Sequence, residues 1–406
     1  MNNYPVLKVN EWYLDVLSGA CGIGIGLGMV RFDFGILGRL MVHEGWISSE
    51  GIGDLAGVNM AGYLLGCFHQ SKLKSELSVV NTLRIALILL LIALWLESFQ
   101  SGVIVQGLYR LVCGWGAAHL VTGLPSLALA KVPDCFKRNS TSIVMAGGGI
   151  GALIGALVIG NFAPNQAPSA WAVLSLTATF FSLPVFNLLH KSHSIRKTKE
   201  QNEIGSKESF DVINSRRDHN TFLILSVIGG FALMQIGQVP IVLYEPIVSV
   251  NRLGLSAAMS SNSQSLFGFG LTVGALSTTL FPSYFQTRAL LPAVSLLGLI
   301  GGYMFWDSSS LITLFSSTFV IGLWDMMTGT LTYDRLGQFS SGHRHRHLWA
   351  ITTMIGGIGF VIFSAATSPL TENHLNIILL LGFIVILIQF IFELLQTGIF
   401  YTSSAK

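Results

Sequence analysis

Charge is what this sequence has least of. Asp, Glu, Lys and Arg make up 11% of its 406 residues, less than half of the roughly 25% usual in a soluble domain. That scarcity excludes a mostly water-facing globular surface and a nucleic-acid interface, because both depend on many charged side chains. Cysteine is almost as rare. Cys21, Cys67, Cys113 and Cys135 stand in no ligand spacing and read as packing residues. A Walker-type phosphate loop is missing, which argues against ATP-driven work. Nucleophile, base and orienting group are nowhere gathered, which argues against an intramembrane enzyme. His343, His345 and His347 share spacing with a metal site, but Arg344 and Arg346 between them oppose a cation, so neither metal nor cofactor is expected.

Apolar residues fill the space that charge leaves. They reach 51% of the chain, with a mean hydropathy of +0.63. Runs of about 20 apolar residues cross a bilayer as helices. Twelve are placed near 13–41, 52–70, 79–97, 102–130, 140–163, 169–190, 221–248, 258–282, 289–306, 310–333, 348–368 and 375–399. The chain therefore reads as an all-α polytopic membrane protein with twelve transmembrane helices. All but four of its 23 Lys and Arg fall on one side if both termini are cytoplasmic, as the positive-inside rule requires. Trp46, Trp95, Trp171 and Trp306 then lie at outer interfaces. No cleavable signal precedes the first span, which reads as an uncleaved anchor.

One segment interrupts the apolar rhythm. His190 to His219 carries seven Lys or Arg and five Asp or Glu and reads as a flexible cytoplasmic linker, dividing the chain into 1–190, 191–219 and 220–406. The halves repeat each other at an offset of 208. Gly148 to Gly151 and Gly356 to Gly359 both read GGIG, and Ser48 meets Ser256, Gly62 meets Gly270 and Gly66 meets Gly274. Agreement on one offset across several spans points to a duplication.

Twelve spans, a six-plus-six duplication and a charged central linker resemble the major facilitator superfamily over the full chain. The stretch Arg110-Leu-Val-Cys-Gly114-Trp-Gly116 is similar to its span 4 motif, an arginine followed by spaced glycines. Gly28-Met-Val-Arg31-Phe32 and Gly62-Tyr63-Leu64-Leu65-Gly66 resemble its YbfB/YjiJ branch. The loop after Gly66 lacks the usual Asp and Arg of the superfamily's gating motif, and Gly147 to Gly155 has the glycines of the antiporter motif in span 5 without its proline. The resemblance implies two pseudo-symmetric six-helix bundles that rock about a midplane site, with spans 1, 4, 7 and 10 lining the cavity.

Intramembrane polar groups are the candidate substrate- and proton-binding residues, because charge at that depth is costly without a use. In span 1, Gly24, Gly28, Arg31, Gly35 and Gly38 share a stripe on an ideal helix, while Asp33 lies about 200° from Arg31. Arg31, Asp33 and Arg110 fall at similar heights, and pairing between spans 1 and 4 is expected, with Asp33 proton-responsive and Arg110 its fixed counter-charge. Asp325 lies on a polar stripe of span 10, His119 on one of span 4, and Gln235, Gln238 and Glu245 on one of span 7. Together they imply a monomeric secondary transporter of a small organic solute in the cell (inner) membrane. Its mechanism would be alternating access with proton-coupled efflux by antiport. Uptake by symport, or a sensor or assembly protein that kept the fold without transport, are the alternatives.

Overall fold

The structure is a computed structural model that describes residues 10–160, 162, 165–203, 217–281, 287–370 and 374–403. Among them are fourteen α-helices and no strand. Span 1 consists of α1 (Asn10–Ile23), a π-helix (Gly24–Phe32) and α2 (Phe34–His43). It is followed by α3 (Ser49–Lys72), α4 (Glu76–Leu96), α5 (Val103–Ala128), α6 (Lys137–Ile159) and α7 (Ala167–Glu203). Span 7 is again broken, into α8 (Arg217–Gly237) and α9 (Val239–Leu253), because Pro240 at the start of α9 has no N–H for a continuous ladder. Then come α10 (Ala257–Ser277), α11 (Thr287–Trp306), α12 (Leu311–Phe339), α13 (Gly342–Thr367) and α14 (Leu375–Ser403).

Among the described residues, ten candidate spans are long and apolar enough to cross a bilayer. The other two helices, α3 and α10, have 24 and 21 residues but more polar side chains. Their packing accounts for that. α3 lies between α5 and α13, and α10 between α12 and α6, so both are flanked by protein, and Asn59, Gln70, Ser263 and Gln264 are buried there and spared the lipid. Large apolar side chains face outward elsewhere, among them Ile104 at 83% and Phe180 at 71% exposure, as suits helices that meet lipid. This is a multi-pass membrane protein.

The offset of 208 recurs in the contacts. Ser48 caps α3 by accepting from Gly51 N at 3.2 Å, and Ser256 caps α10 by accepting from Met259 N at 3.3 Å. A Cβ on Gly62 would strike the Leu111 carbonyl, and one on Gly270 would strike the Phe319 carbonyl. Gly66 with Trp115 and Gly274 with Leu323 repeat the relation. Each pair is separated from its counterpart by the same interval, so the second and fourth helices of each half meet backbone to backbone, as small residues permit in membranes. Buried apolar side chains form two clusters, one mostly from residues before Leu189 and one mostly after Val227.

The expected linker needs one correction. α7 runs on to Glu203, past the predicted end of span 6, because nothing between Phe186 and Glu203 is glycine or proline and a polar helix end can continue into water. Residues 204–216 of the linker lie outside the described residues.

Candidate substrate and proton site

Span 1 departs from the ideal helix assumed in reading its stripe. Between Gly24 and Phe32 the backbone is π-wound, and Asp33 N reaches back five residues to Gly28 O at 3.3 Å. Glycine explains how this segment packs: a Cβ on Gly28 would collide with α6 around Gly151 and Ala152, so the wider turn seats its backbone on a neighbour. Such segments cluster at functional sites. Here the winding carries Arg31 to the boundary between the halves.

Arg31 donates from Nη2 to Gln235 Oε1 at 3.2 Å. Its guanidinium carbon lies 5.1 Å from the Phe360 ring centre, 5.7 Å from Phe32 and 5.9 Å from Tyr63. Gln238 Nε2 donates to the same Gln235 oxygen at 2.7 Å. Beside them lies a central cavity of about 50 Å³. Its lining comes from span 1 (Ile23, Leu27, Arg31, Phe32), span 4 (Val121), span 7 (Phe231, Met234, Gln235) and span 10 (Asp325, Met326, Gly329). Spans 2, 5 and 11 add Tyr63, Met145, Trp349 and Thr353. Arg31 and Asp325 are the two charged residues in that lining. Asp325 is 6% exposed, and no ion pair joins it to Arg31 among the described residues.

Contacts between the halves lie on both sides of the cavity along the bundle. At one end Arg39 Nη1 of α2 donates to Ser260 Oγ of α10 at 3.0 Å, and Phe32 meets Phe267 edge-on at 5.3 Å. At the other, Arg138 of α6 pairs with Asp334 of α12 at 3.4 Å. His347 Nδ1 lies 2.8 Å from Ser71 O, and Trp349 Nε1 donates to Val121 O at 3.1 Å.

The expected network of Arg31, Asp33 and Arg110 does not form. Arg110 is 2% exposed and pairs with the fully buried Glu97 at 3.5 Å. Its Nη2 also donates to Val30 O at 2.9 Å, and its guanidinium carbon sits 4.0 Å from the Phe34 ring centre. Val30 lies in the last turn of the π-helix, where carbonyls lose their helical partners, so Arg110 caps the break in span 1. Asp33 is turned elsewhere, against Gly155 of α6, and its Oδ2 has no hydrogen-bond partner. The cause is the π-helix, which reorients everything beyond Gly24 relative to the ideal wheel. Glu97 was legible only through hairpin register: it comes directly after α4, and Arg110 lies two turns into the antiparallel α5.

Breaking this pair has a measurable consequence. Glu97→Ala leaves Arg110 buried with a carbonyl as its polar partner, and one-sided loss of a buried ion pair costs about 3–5 kcal/mol. The thermal midpoint of the purified variant in detergent should fall sharply, and Glu97→Gln should recover part of it. A wild-type midpoint for Glu97→Ala would show that the pair carries no stability.

The other candidates scatter. His119 lies off the cavity, with Nδ1 2.7 Å from Gln70 Oε1 and Nε2 3.2 Å from His69 Nδ1. Glu245 is fully buried near Arg39, away from Asp325. His343, His345 and His347 begin α13, where His345 Nε2 lies 3.1 Å from Tyr333 O. Sequence reasoning missed Tyr63, Trp349 and Thr353, which lie on spans 2 and 11 rather than on the four helices expected to line the cavity.

Two helical halves meeting around a shared cavity are the architecture of a membrane transporter of the major facilitator class. Residues 23–389 match the family described as "Uncharacterised MFS-type transporter YbfB", and the chain belongs to that family. Among solved structures it is similar to the proton:xylose symporter XylE bound to 6-bromo-6-deoxy-D-glucose. The TM-score is 0.68 at 15% identity, with 94% of each chain covered, a likeness that shows the fold. No curated protein matches the chain.

Proposed function

We propose that the protein moves a small organic solute across the cell (inner) membrane by alternating access, as a monomer with both termini cytoplasmic, and that protons couple to the movement at Asp325. In this reading 1–190 and 220–406 are the moving halves and 191–219 joins them. One observation carries it: Asp325 stands in the central cavity without an ion-pair partner among the described residues, with contacts between the halves on either side. A carboxylate there can be neutralised by a proton, and neutralisation changes the cost of enclosing it.

The solute decides the direction of coupling. If a cation takes Asp325, solute and proton compete, and the result is antiport and export, the reading that the sequence put first. If an anion takes Arg31, the proton balances Asp325 and travels with it, which gives symport and uptake. The presence of a second, fixed charge in the same cavity favours symport.

The test is solute-dependent proton movement. Proteoliposomes with a pH-sensitive dye inside are exposed to small organic anions, amines and sugars in turn. At least one class should change the internal pH only when the protein is present. Solute flux without any accompanying pH change would remove the coupling from the proposal.

A further inference from the structure

The cavity's polar chemistry is narrow. Arginine keeps its positive charge at any attainable pH, so the empty site always holds a cation, and Asp325 is the one carboxylate in the same lining. Arg31 satisfies one donor on a neutral amide, and its Nε has no partner. The planar fork of a guanidinium fits a carboxylate edge to edge. A dianion would need a second cation, and the lining has none. A polyhydroxylated solute would need many hydrogen-bonding groups, yet the uncharged polar side chains of the lining are Gln235, Tyr63 and Thr353. The remaining walls are aromatic, aliphatic and thioether, which suit an apolar and especially a flat body.

Charge balance then fixes what accompanies the solute. With an anion on Arg31, a charged Asp325 would be left uncompensated, and a buried lone charge is costly. The groups around Asp325 offer no other relief. From the cavity, Arg31 and Tyr63 are the titratable neighbours, while α6, α8 and α13 present uncharged lining. Helix α10 contains no charged residue, α11 carries Arg288 only at its start, and Glu245 of α9 lies toward Arg39.

We propose that the cavity takes a small organic monocarboxylate with an apolar, flat body, that its carboxylate docks on Arg31, and that one proton on Asp325 enters with it. This rests on the transport reading above and adds the substrate class and stoichiometry.

Thermal stabilisation of the full-length protein in detergent tests the class, since a ligand of the folded state raises the midpoint by mass action. The probes are benzoate, phenylacetate and hydrocinnamate, with phenylacetamide, phenethylamine and phenylalanine as neutral, cationic and zwitterionic counterparts. At least one carboxylate should raise the midpoint where its counterparts do not, and its affinity should fall by about tenfold per unit of rising pH once Asp325 is ionised in the empty protein. Arg31→Gln should weaken that binding by roughly 10- to 100-fold. Should the variant fail to fold, the wild-type comparison of phenylacetate with phenylacetamide decides. Equal binding of the amide or the amine, or no shift with any carboxylate, overturns the proposal. Proteoliposomes separate its failure from that of the transport reading. A carboxylate that binds but is not moved leaves the class standing and removes transport, whereas an amine moved with protons does the reverse.

Discussion

Asp325→Asn protein is expected to exchange solute across a liposome membrane and yet to ignore a pH gradient. Asparagine keeps the size of the side chain and stands in for the protonated acid, so the cavity can still be enclosed around an occupied Arg31. What disappears is the thermodynamic link: one proton per solute supports about tenfold accumulation per pH unit, and the variant should show none. Counterflow of labelled solute and pH-driven uptake, measured on the same vesicles, separate the two activities. Wild-type uphill accumulation by Asp325→Asn would sink the assignment, and Asp33, buried against Gly155 with an unpartnered oxygen, would become the leading carboxylate.

Arg31→Lys should be nearly as damaging although charge is conserved. The lysine ammonium is a compact, strongly hydrated point charge. It cannot hold Gln235 Oε1 and offer a planar face to Phe360 and Tyr63 together, as Arg31 does. Solute affinity should fall by roughly 10- to 100-fold, the worth of a charge-assisted hydrogen bond, while the thermal midpoint without solute changes far less. An unchanged half-saturation concentration would show that Arg31 acts as bulk charge and not as a ligand.

How much of the chain is legible in its sequence depends on which physical signals are local. The duplication was legible because glycine at a helix crossing is dictated by one neighbouring backbone: Gly62 and Gly270 recur because Leu111 and Phe319 do. Arg31 and Asp325 stood out because charge within an apolar run is conspicuous and costly. Partner choice was not legible. Asp33 and Arg110 matched in depth, but depth says nothing about azimuth, and the winding between Gly24 and Phe32 turned them apart. Glu97 escaped notice because, at the end of a span and beside Ser98, it looks like a solvated loop residue. His119 shows the same limit, since its stripe is polar but its partners, Gln70 and His69, lie behind the cavity wall.

The π-wound stretch of span 1 makes the winding itself a determinant of the site. Each residue added to or removed from a helix turns the downstream chain by about 100° and shifts it about 1.5 Å along the axis. α1 is held by α5, α6 and α7, so two changes to this stretch have opposite consequences. Loss of one residue between Gly24 and Met29 is absorbed by a return to tighter α-winding, since a π-turn holds about one residue more than an α-turn, and Arg31 and Val30 would keep nearly the same facing. A return to α-winding at unchanged length would instead turn Arg31 away from Gln235 and the Val30 carbonyl away from Arg110. Substitutions that tighten the winding should therefore harm the site more than a one-residue deletion in the same glycine run.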